Sequence, residues 1–364
     1  MAERFTARGV IARVPGEPGQ IEEFQIDPLG PNDALVRILA SGVCHTDLSA
    51  KNGVFGTEIF PLLLGHEGSG IVEQVGANVT NVKEGDLVIL AWRAPCGKCR
   101  FCLVGQPHLC AASLNADGKM YTHDGIKLTP ILGIGTFCTH TLVHAQQCVP
   151  VNPKLNPEPL SLIGCGVGTG VSAPFNSANV RPGQSVAVIG CGGVGDSVIM
   201  GSKLAGATTI IAVDVDPQKL EWAKQFGATH TVNPRDGDPV ARIKEITGGN
   251  GVNVSFEVVG KPETLETALW CRDLAGTCVM IGVYFQEARL NLPLAQFFDR
   301  GGILRVAWYG DILPTRDFPT YATWYEQGKL DLDRVVTRVV SLEESEEAFH
   351  AMERGETLRT VIRL

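Results

Sequence analysis

The sequence is poor in the features that mark membrane, secreted and nucleic-acid-binding proteins. It contains no run of about 18 uncharged apolar residues, so we expect no membrane span. Residues 1–16 mix charged and apolar side chains and lack the apolar segment of a signal peptide, so we expect no secretory signal. Basic residues are outnumbered by acidic ones, 31 to 39, giving a net charge of −8. The sequence therefore predicts a cytoplasmic protein with no nucleic-acid or membrane partner.

What the sequence does contain is an ordinary globular composition with many cysteines. It has 364 residues, of which 44% are hydrophobic and 19% charged, and this length predicts two or three domains. Eleven cysteines, an odd number in a chain without an export signal, indicate thiols, metal sites or catalysis before disulfides.

A glycine pattern follows a short apolar run at residues 186–189. Gly190, Gly192 and Gly195 have G-x-G-x-x-G spacing, which permits a tight turn, close approach of a pyrophosphate and helix packing on the strand. Such glycines alone also occur in ordinary turns. Here, however, a helical pattern and a second strand follow, and that strand ends on Asp214, where a ribose hydroxyl is held in dinucleotide-binding folds. We predict a dinucleotide site that includes Gly190, Gly192, Gly193, Val194, Gly195 and Asp214.

The residue at the end of the second strand also predicts which dinucleotide binds. Asp214 would repel a 2′-phosphate, and Val215 and Asp216 supply no arginine to bind one. The sequence therefore favours NAD over NADP.

A cysteine-rich run predicts one metal site. Its four thiols can close a tetrahedron around one Zn²⁺ without ligands from elsewhere. A disulfide is the ordinary alternative, but we expect a reducing compartment, and iron–sulfur runs differ in spacing. We predict a structural zinc bound by Cys96, Cys99, Cys102 and Cys110.

A second group of metal-binding residue types is dispersed. Cys44 and His66 are suitable zinc ligands, Asp47 could orient an imidazole, and Thr46 would have its hydroxyl near a bound metal. Each has an ordinary alternative, as a buried cysteine, a hydrogen-bonded histidine or a helix-capping threonine. Two ligands do not make a site, and Cys165, which lies between two glycines, is the candidate third ligand.

Alternating patterns predict an α/β fold with a doubly wound parallel sheet from residue 185 to about 305. They include a helix over 262–274 and a strand over 277–283. The β-like segments before it and the tail after it predict that this nucleotide-binding domain is inserted in a mainly-β catalytic domain. We expect a catalytic domain at 1–166, an NAD-binding domain at 167–305 and a C-terminal return to the catalytic domain at 306–364.

Three motifs, taken in order, resemble the zinc-containing medium-chain alcohol dehydrogenases essentially from end to end. They are the Gly65-His66-Glu67 motif with Gly70 and Gly76, the four-cysteine run and the glycine fingerprint. Within that family, the segments 88–93, 132–138 and 307–311 are most similar to mycothiol-dependent formaldehyde dehydrogenases, close to the class III-like branch. The resemblance implies a GroES-like catalytic domain with an inserted Rossmann domain, two zinc ions per subunit, NAD, and a homodimer or homotetramer.

The resemblance also implies residue roles. It makes Cys44, His66 and Cys165 ligands of a catalytic zinc, with Glu67 behind them as an occasional or outer ligand, and gives Thr46 the relay of the substrate hydroxyl proton. The cofactor contacts that it implies are Lys219 with Asp214 on the ribose, His45 and Arg359 on the pyrophosphate, and Val258 with Ile281 to Val283 beside the nicotinamide.

Two positions depart from the family pattern. Ser49 stands where liver-type enzymes have the histidine that ends their proton relay, so water or ribose hydroxyls must carry the proton out. Asp196 follows the last fingerprint glycine, where the family usually has an apolar residue.

The function that these features predict is oxidation of an alcohol, or of a thiol–formaldehyde adduct, by NAD at zinc. The best specific prediction is S-(hydroxymethyl)mycothiol dehydrogenase. A general primary or aromatic alcohol dehydrogenase, or a carbonyl reductase, is the alternative. Arg93 and Arg305 could anchor a thiol adduct, whereas Trp92 would suit an apolar alcohol. A non-enzymatic NAD-binding protein is disfavoured because all three catalytic zinc ligands are present.

Overall fold

Strands dominate the two ends of the chain and alternate with helices in its middle. The structure is a computed structural model, and it describes residues 4–116, 119–284 and 287–364. None of the helices in these ranges has the length and apolar character that crossing a bilayer requires.

The strands, in chain order, are β1 Phe5–Ala12, β2 Gln20–Ile26, β3 Asp33–Gly42, β4 Leu62–Leu63, β5 Glu67–Val75, β6 Leu87–Leu90, β7 Met120–Thr122, β8 Thr129–Pro130, β9 His140–His144, β10 Cys148–Pro150, β11 Ser185–Ile189, β12 Thr209–Val213, β13 His230–Val232, β14 Val252–Glu257, β15 Arg272–Met280, β16 Ile303–Val306, β17 Val336–Val340 and β18 Arg359–Arg363. The helices are α1 His45–Lys51, α2 Arg100–Leu103, α3 Pro157–Ile163, α4 Gly166–Ser172, α5 Gly193–Leu204, α6 Pro217–Phe226, α7 Pro239–Ile246, α8 Pro262–Trp270, α9 Leu294–Arg300, α10 Pro314–Glu326, α11 Leu332–Val335 and α12 Ser345–Glu353.

The chain divides into two compact units, and the second is inserted in the first. Met1–Gly166 and Leu313–Leu364 form one unit, and Val167–Ile312 forms the other. The second unit therefore extends past 305, where the sequence predicted its end. The reason is local, because Ser177 donates a hydrogen bond to Asp311 at 2.8 Å and so keeps the segment after β16 with this unit.

The first unit is built on two sheets. Among the described residues, five strands pair in the order β7-β2-β1-β4-β8, and six in the order β10-β6-β5-β3-β18-β17, with β9 also pairing with β3. The pairing of β18 with β3 returns the C-terminal tail to the N-terminal part, with Val361 opposite Gly42. Apolar side chains of these strands, such as Ile11, Phe24 and Val36, fill the core.

The second unit contains the expected doubly wound sheet. Its described strands are parallel and lie in the order β13-β12-β11-β14-β15-β16. Residues Val186 to Ile189 of β11 are all buried, as is typical of a parallel strand covered on both faces. The strand order reverses between β11 and β14, and ligands of such sheets bind outside the carboxyl ends of the strands at this point.

Helix starts in this unit follow local sequence signals. At α6, the Asp216 side chain accepts a hydrogen bond from the Gln218 amide, Pro217 occupies the first turn, and Gly227 ends the helix with a φ of 123°. A side-chain acceptor and a proline at the start, with a glycine at the end, satisfy helix-terminal groups at little conformational cost.

One boundary prediction in this region is wrong. The helix expected over 262–274 ends at Trp270, and the strand expected over 277–283 runs from Arg272 to Met280. The buried Arg272 guanidinium donates to the carbonyls of Gly276 and Gly301, at 2.9 and 2.7 Å, which holds this segment extended. The helix and strand propensities of neighbouring residues cannot predict that tertiary interaction.

Candidate functional site

The four cysteines of the 96–110 segment form one cluster. Cys96, Cys99, Cys102 and Cys110 bring their sulfur atoms within 4.8 Å of one another. The sulfur atoms of Cys99 and Cys102 are 3.6 Å apart, and those of Cys99 and Cys110 are 3.9 Å apart. A tetrahedron with zinc–sulfur bonds of 2.3 Å has edges of about 3.8 Å, so the cluster has the size that Zn²⁺ requires.

Backbone amides around this cluster favour thiolates. Hydrogen bonds from the amides of Cys102 and Ala111 lower the pKa of Cys99 to about 6. The Cys96 amide donates to the Cys110 sulfur at 3.3 Å. Thiolate is the form that binds metal, so the loop itself prepares the site. Four protein ligands leave no open position, which is typical of structural zinc.

A second cluster gathers residues that are far apart in sequence. Cys44, His66, Glu67 and Cys165 bring their ligand atoms within 4.8 Å of one another. Cys44 immediately precedes α1, and His66 immediately precedes β5, which begins at Glu67. Cys165 lies between α3 and α4. The fold thus brings together the four residues that the resemblance assigned to a catalytic zinc.

The imidazole of His66 is oriented by Asp47. His66 Nδ1 lies 2.9 Å from Asp47 Oδ1, and the Gly65 amide donates to the same oxygen at 3.0 Å. Both side chains are fully buried. His66 Nε2 is buried without a hydrogen-bond partner in the described part of the chain, so its lone pair is available to a metal. The donor set, two thiols and one imidazole, therefore fits Zn²⁺.

Glu67 has both carboxylate oxygens engaged by the protein. Its Oε1 accepts a hydrogen bond from the Gly166 amide at 3.0 Å, and its Oε2 pairs with the Arg359 guanidinium. Arg359 also donates to the Val43 carbonyl at 3.1 Å. Both carboxylate oxygens of Glu67 thus have partners within the protein, and one of them belongs to a buried ion pair.

The thiols of this cluster differ from the other buried cysteines. A hydrogen bond from Cys165, the contact with His66 and the charge of Arg359 lower the pKa of Cys44, although burial opposes them. The same thiol pair and burial raise the pKa of Cys165. Burial alone raises the pKa of Cys148 to about 12. The thiolate form of Cys44 is therefore favoured, whereas Cys148 is a buried core residue with a raised pKa.

Thr46 lies in the first turn of α1, two residues after Cys44. The N-cap of α1 is Cys44, and its side chain makes no capping hydrogen bond. Thr46 is therefore not the N-cap residue that the helix-capping interpretation expected. Its side chain is half-buried.

The glycine fingerprint folds as a strand–turn–helix at the reversal point of the sheet. Gly190 has a φ of 99°, and a Cβ on Gly195 would lie 1.9 Å from the Gly190 carbonyl oxygen. A Cβ on Gly192, the N-cap of α5, would meet nothing within 4 Å. The turn thus needs glycine for its own packing at Gly195 and leaves open space at Gly192, where a pyrophosphate can approach the helix N-terminus.

Asp214 follows β12 and borders this turn. Its Oδ2 accepts from the Cys191 amide at 2.8 Å, and its Oδ1 from the Asp216 amide at 2.9 Å. Each carboxylate oxygen keeps a further lone pair for a ribose hydroxyl.

Asp196, in the first turn of α5, is unusual. It is fully buried, and neither carboxylate oxygen has a hydrogen-bond partner in the described ranges. Burial and the neighbouring charge of Asp214 raise the pKa of Asp196 well above its ordinary value, which favours the neutral acid over the carboxylate.

The remaining predicted residues lie on both units. In the second unit, Lys219 lies in the first turn of α6, and Val258, Ile281 and Val283 follow the carboxyl ends of β14 and β15. In the first unit, His45 is the exposed first residue of α1.

Both arginines considered as substrate anchors have partners within the protein. Arg93 donates to the Cys110 carbonyl, and Arg305 lies 3.1 Å from Asp311. Neither contact favours a role in binding a thiol adduct.

Sequence reasoning missed Glu257, the last residue of β14, which is fully buried and accepts several hydrogen bonds. An acid at the carboxyl end of a buried strand is the signal that could have found it, as it did for Asp214.

Comparison with protein-family models identifies both parts of the chain. Residues 30–153 match the "Alcohol dehydrogenase GroES-like domain", and residues 193–327 match "Zinc-binding dehydrogenase".

Individual proteins are similar over the whole length. An S-(hydroxymethyl)glutathione dehydrogenase of Escherichia coli O1:K1 is 36% identical, covering 98% of this chain and 99% of that protein. A zinc-binding alcohol dehydrogenase domain protein of Burkholderia ambifaria has a TM-score of 0.94 at 33% identity and covers 100% of both chains. The benzyl alcohol dehydrogenase of Acinetobacter calcoaceticus has a TM-score of 0.92 at 31% identity and covers 99% of both.

Proposed function

We propose a substrate on the premise that the chain belongs to the zinc-containing medium-chain alcohol dehydrogenases and is thus a zinc-dependent oxidoreductase with a nicotinamide cofactor. The proposed substrate is the S-(hydroxymethyl) adduct that formaldehyde forms with a low-molecular-weight thiol, and mycothiol is the preferred thiol. The observation that carries the proposal is the cluster of two half-buried cysteines and one buried histidine, Cys44, Cys165 and His66, which offers three ligands and leaves a fourth zinc position for substrate. A binding protein without activity would have no need of these ligands.

The residues of the cluster have separate tasks. When bound, zinc supplies a Lewis acid at an alcohol oxygen, and the nicotinamide ring accepts a hydride. Cys44, Cys165 and His66 Nε2 would hold the metal, while Asp47 keeps the other imidazole nitrogen as the donor. The ion pair of Glu67 with Arg359 compensates charge behind the ligands.

Proton release falls to Thr46. Its hydroxyl can accept the substrate proton while donating its own, so it relays a proton without storing charge. Because Ser49 replaces the usual histidine, the proton would continue to water or to a ribose hydroxyl.

NAD is the proposed cofactor in preference to NADP. The support is Asp214, whose carboxylate stands at the end of β12 with its oxygens held by two amides, where a 2′-phosphate would meet negative charge. Lys219, His45, Arg359, Val258, Ile281 and Val283 are proposed cofactor contacts on the resemblance alone.

The chemistry of a thiol adduct suits this site. Addition of a thiol to formaldehyde gives R–S–CH₂OH, which is an alcohol. Loss of the hydroxyl proton and of one hydride from carbon gives R–S–CHO, NADH and H⁺. The full-length similarity to an S-(hydroxymethyl)glutathione dehydrogenase supports this substrate class.

A second candidate is a primary or aromatic alcohol. Its support is the structural similarity to a benzyl alcohol dehydrogenase, together with the half-buried Trp92 after β6. Arg93 and Arg305 each donate a hydrogen bond within the protein, so neither arginine contact favours the thiol adduct over an apolar alcohol.

The test compares NAD reduction by the zinc-loaded protein on formaldehyde with mycothiol, formaldehyde with glutathione, formaldehyde alone, hexanol and benzyl alcohol. We expect the highest kcat/KM with formaldehyde plus mycothiol and little reaction without thiol. A higher kcat/KM with benzyl alcohol or hexanol would contradict the thiol adduct as substrate and support the second candidate, a primary or aromatic alcohol.

Self-association and location complete the proposal. We expect a homodimer or homotetramer, because the edge strand β16 exposes all four of its residues, three of them apolar. An edge strand with apolar side chains readily pairs with its own copy about a two-fold axis.

A cytoplasmic location is supported by the eleven free cysteines.

A further inference from the structure

The carboxylate of Glu257 ties together the loops that follow β14 and β15. Its Oε1 accepts hydrogen bonds from the amides of Val259 and Gly260 and from the Thr264 hydroxyl, each at 2.8 Å. Its backbone carbonyl accepts from the amide of Ile281 at 2.8 Å. A buried carboxylate with this many donors holds them in one arrangement, because losing any of them leaves charge unsatisfied.

Tyr284 completes the arrangement from the second loop. Its hydroxyl donates to Glu257 Oε2 at 2.5 Å, a short charge-assisted hydrogen bond. Its ring is half-buried and packs against the apolar cluster that contains Ile189, Val213 and Cys278. Burial and the neighbouring carboxylate raise the pKa of Tyr284, so the phenol remains a donor at every physiological pH.

The two loops are in direct contact. A Cβ on Gly282 would lie 2.2 Å from the Gly260 amide nitrogen, and a Cβ on Gly260 would lie 2.3 Å from the Val283 carbonyl oxygen. Movement of residues 281–284 therefore displaces residues 258–260.

The position of these loops indicates what they contact. Asp214 ends β12 on one side of the reversal point, and the loops lie at the ends of β14 and β15 on the other side. A dinucleotide crosses such a sheet at this point, so one half reaches Asp214 and the other half reaches the loops. Val259 and Val283 are 43% and 76% exposed there, which gives an apolar surface suited to one face of a nicotinamide ring.

We propose that Tyr284 is a positioning residue for the nicotinamide half of the cofactor, acting through its hydrogen bond to Glu257. The bond holds residues 281–283 against residues 258–260, so that both loops present one preformed surface. This inference rests on the proposed use of a nicotinamide dinucleotide.

The test separates the two halves of the cofactor. Tyr284→Phe keeps the ring and removes the hydroxyl. We expect its Kd for NAD, measured by calorimetry on the full zinc-loaded chain, to rise roughly three- to tenfold, the range for losing about 0.6–1.4 kcal/mol of preorganisation. Its Kd for ADP-ribose, which lacks the nicotinamide ring, should remain within about twofold of wild type.

Two matched variants control for loss of a hydroxyl. Tyr325→Phe removes another tyrosine–carboxylate bond, to Asp333 at 2.8 Å in the first unit, and should leave both affinities unchanged. Thr264→Val removes a donor to the same Glu257 but from α8, and should lower the melting temperature without changing the ratio of the two affinities.

Several outcomes would overturn the inference. One is an unchanged NAD affinity in Tyr284→Phe, and another is an equal loss of affinity for NAD and for ADP-ribose in that variant. A third is a ratio of the two affinities that changes in Thr264→Val as much as in Tyr284→Phe. Wild-type protein that binds neither ligand would instead overturn the cofactor assignment, and the inference with it. Because binding is measured without turnover, neither result depends on the identity of the alcohol.

Discussion

The two metal-binding clusters contrast in how the chain builds them. The ligands of the first, Cys96 to Cys110, lie within one loop and are mostly half-exposed. The ligands of the second come from α1, β5 and the segment after α3, and its histidine is fully buried. The first is supported by amides of its own loop, whereas the second depends on Asp47, Gly166 and Arg359 from other elements.

We propose that the first cluster serves stability and the second serves chemistry. A loop that supplies four thiolates gains its order from the metal and closes the coordination sphere. A cluster preassembled by burial keeps its three ligands in place with one position open, which a substrate requires. The predictions that follow test this contrast, from the largest expected effect to the smallest.

Removal of one loop cysteine should have the largest effect. Cys99→Ser should lose one of two zinc ions per chain and unfold the 96–110 loop, because structural zinc contributes on the order of 10–16 kcal/mol of binding energy. Elemental analysis and limited proteolysis measure this. Cys148→Ala, a buried cysteine outside both clusters, should keep both ions. If Cys99→Ser retained both zinc ions, the proposed structural zinc site at the four cysteines would be wrong.

Loss of the Thr46 hydroxyl should affect turnover alone. Thr46→Val keeps the shape and should reduce kcat at least ~10²-fold, the lower figure for a proton-transfer group. Thr46→Ser should keep most activity, and both variants should retain two zinc ions. Steady-state rates and metal content measure this. If Thr46→Val turns over within a few-fold of wild type, the proton leaves by another route.

Substitution of Asp47 should weaken only the second cluster. Asp47→Asn removes the negative charge that orients His66 and should reduce zinc affinity about 10–100-fold. Titration with a chelator should therefore release one ion early, while the zinc of the four-cysteine loop serves as the internal control. Simultaneous loss of both ions would show that Asp47 supports folding generally.

The smallest effect concerns a buried aspartate that, unlike Asp47, has no hydrogen-bond partner in the described part of the chain. Asp196 has a raised folded-state pKa, so the folded protein retains a proton that the unfolded chain releases above about pH 4. Stability should fall as pH rises from that value toward the folded pKa. Asp196→Asn, which cannot ionise, should therefore stabilise the protein more at pH 8 than at pH 5.

Melting curves at the two pH values measure this shift. Asp236→Asn, at an exposed position, should show no such pH dependence. A gain for Asp196→Asn that is equal at both pH values would mean that Asp196 is ionised in the folded protein.

Sequence patterns were sufficient wherever the interaction is local. The four-cysteine spacing and the glycine fingerprint each involve neighbours in the chain, and each forms the expected feature. The Cys44, His66 and Cys165 group could be proposed from residue type, but its assembly needed the family resemblance.

Tertiary structure alone decided the rest. The extension of β15 through Arg272, the pairing of Arg359 with Glu67 and the bond between Tyr284 and Glu257 join residues that lie on separate elements. Burial determines these pairings, because a polar or charged group removed from water is stable only when the fold places a hydrogen-bond donor or acceptor beside it. The spacing of residues in a sequence shows which side chains are neighbours along the chain. It does not show which residues far apart in the sequence will be in contact in the buried core.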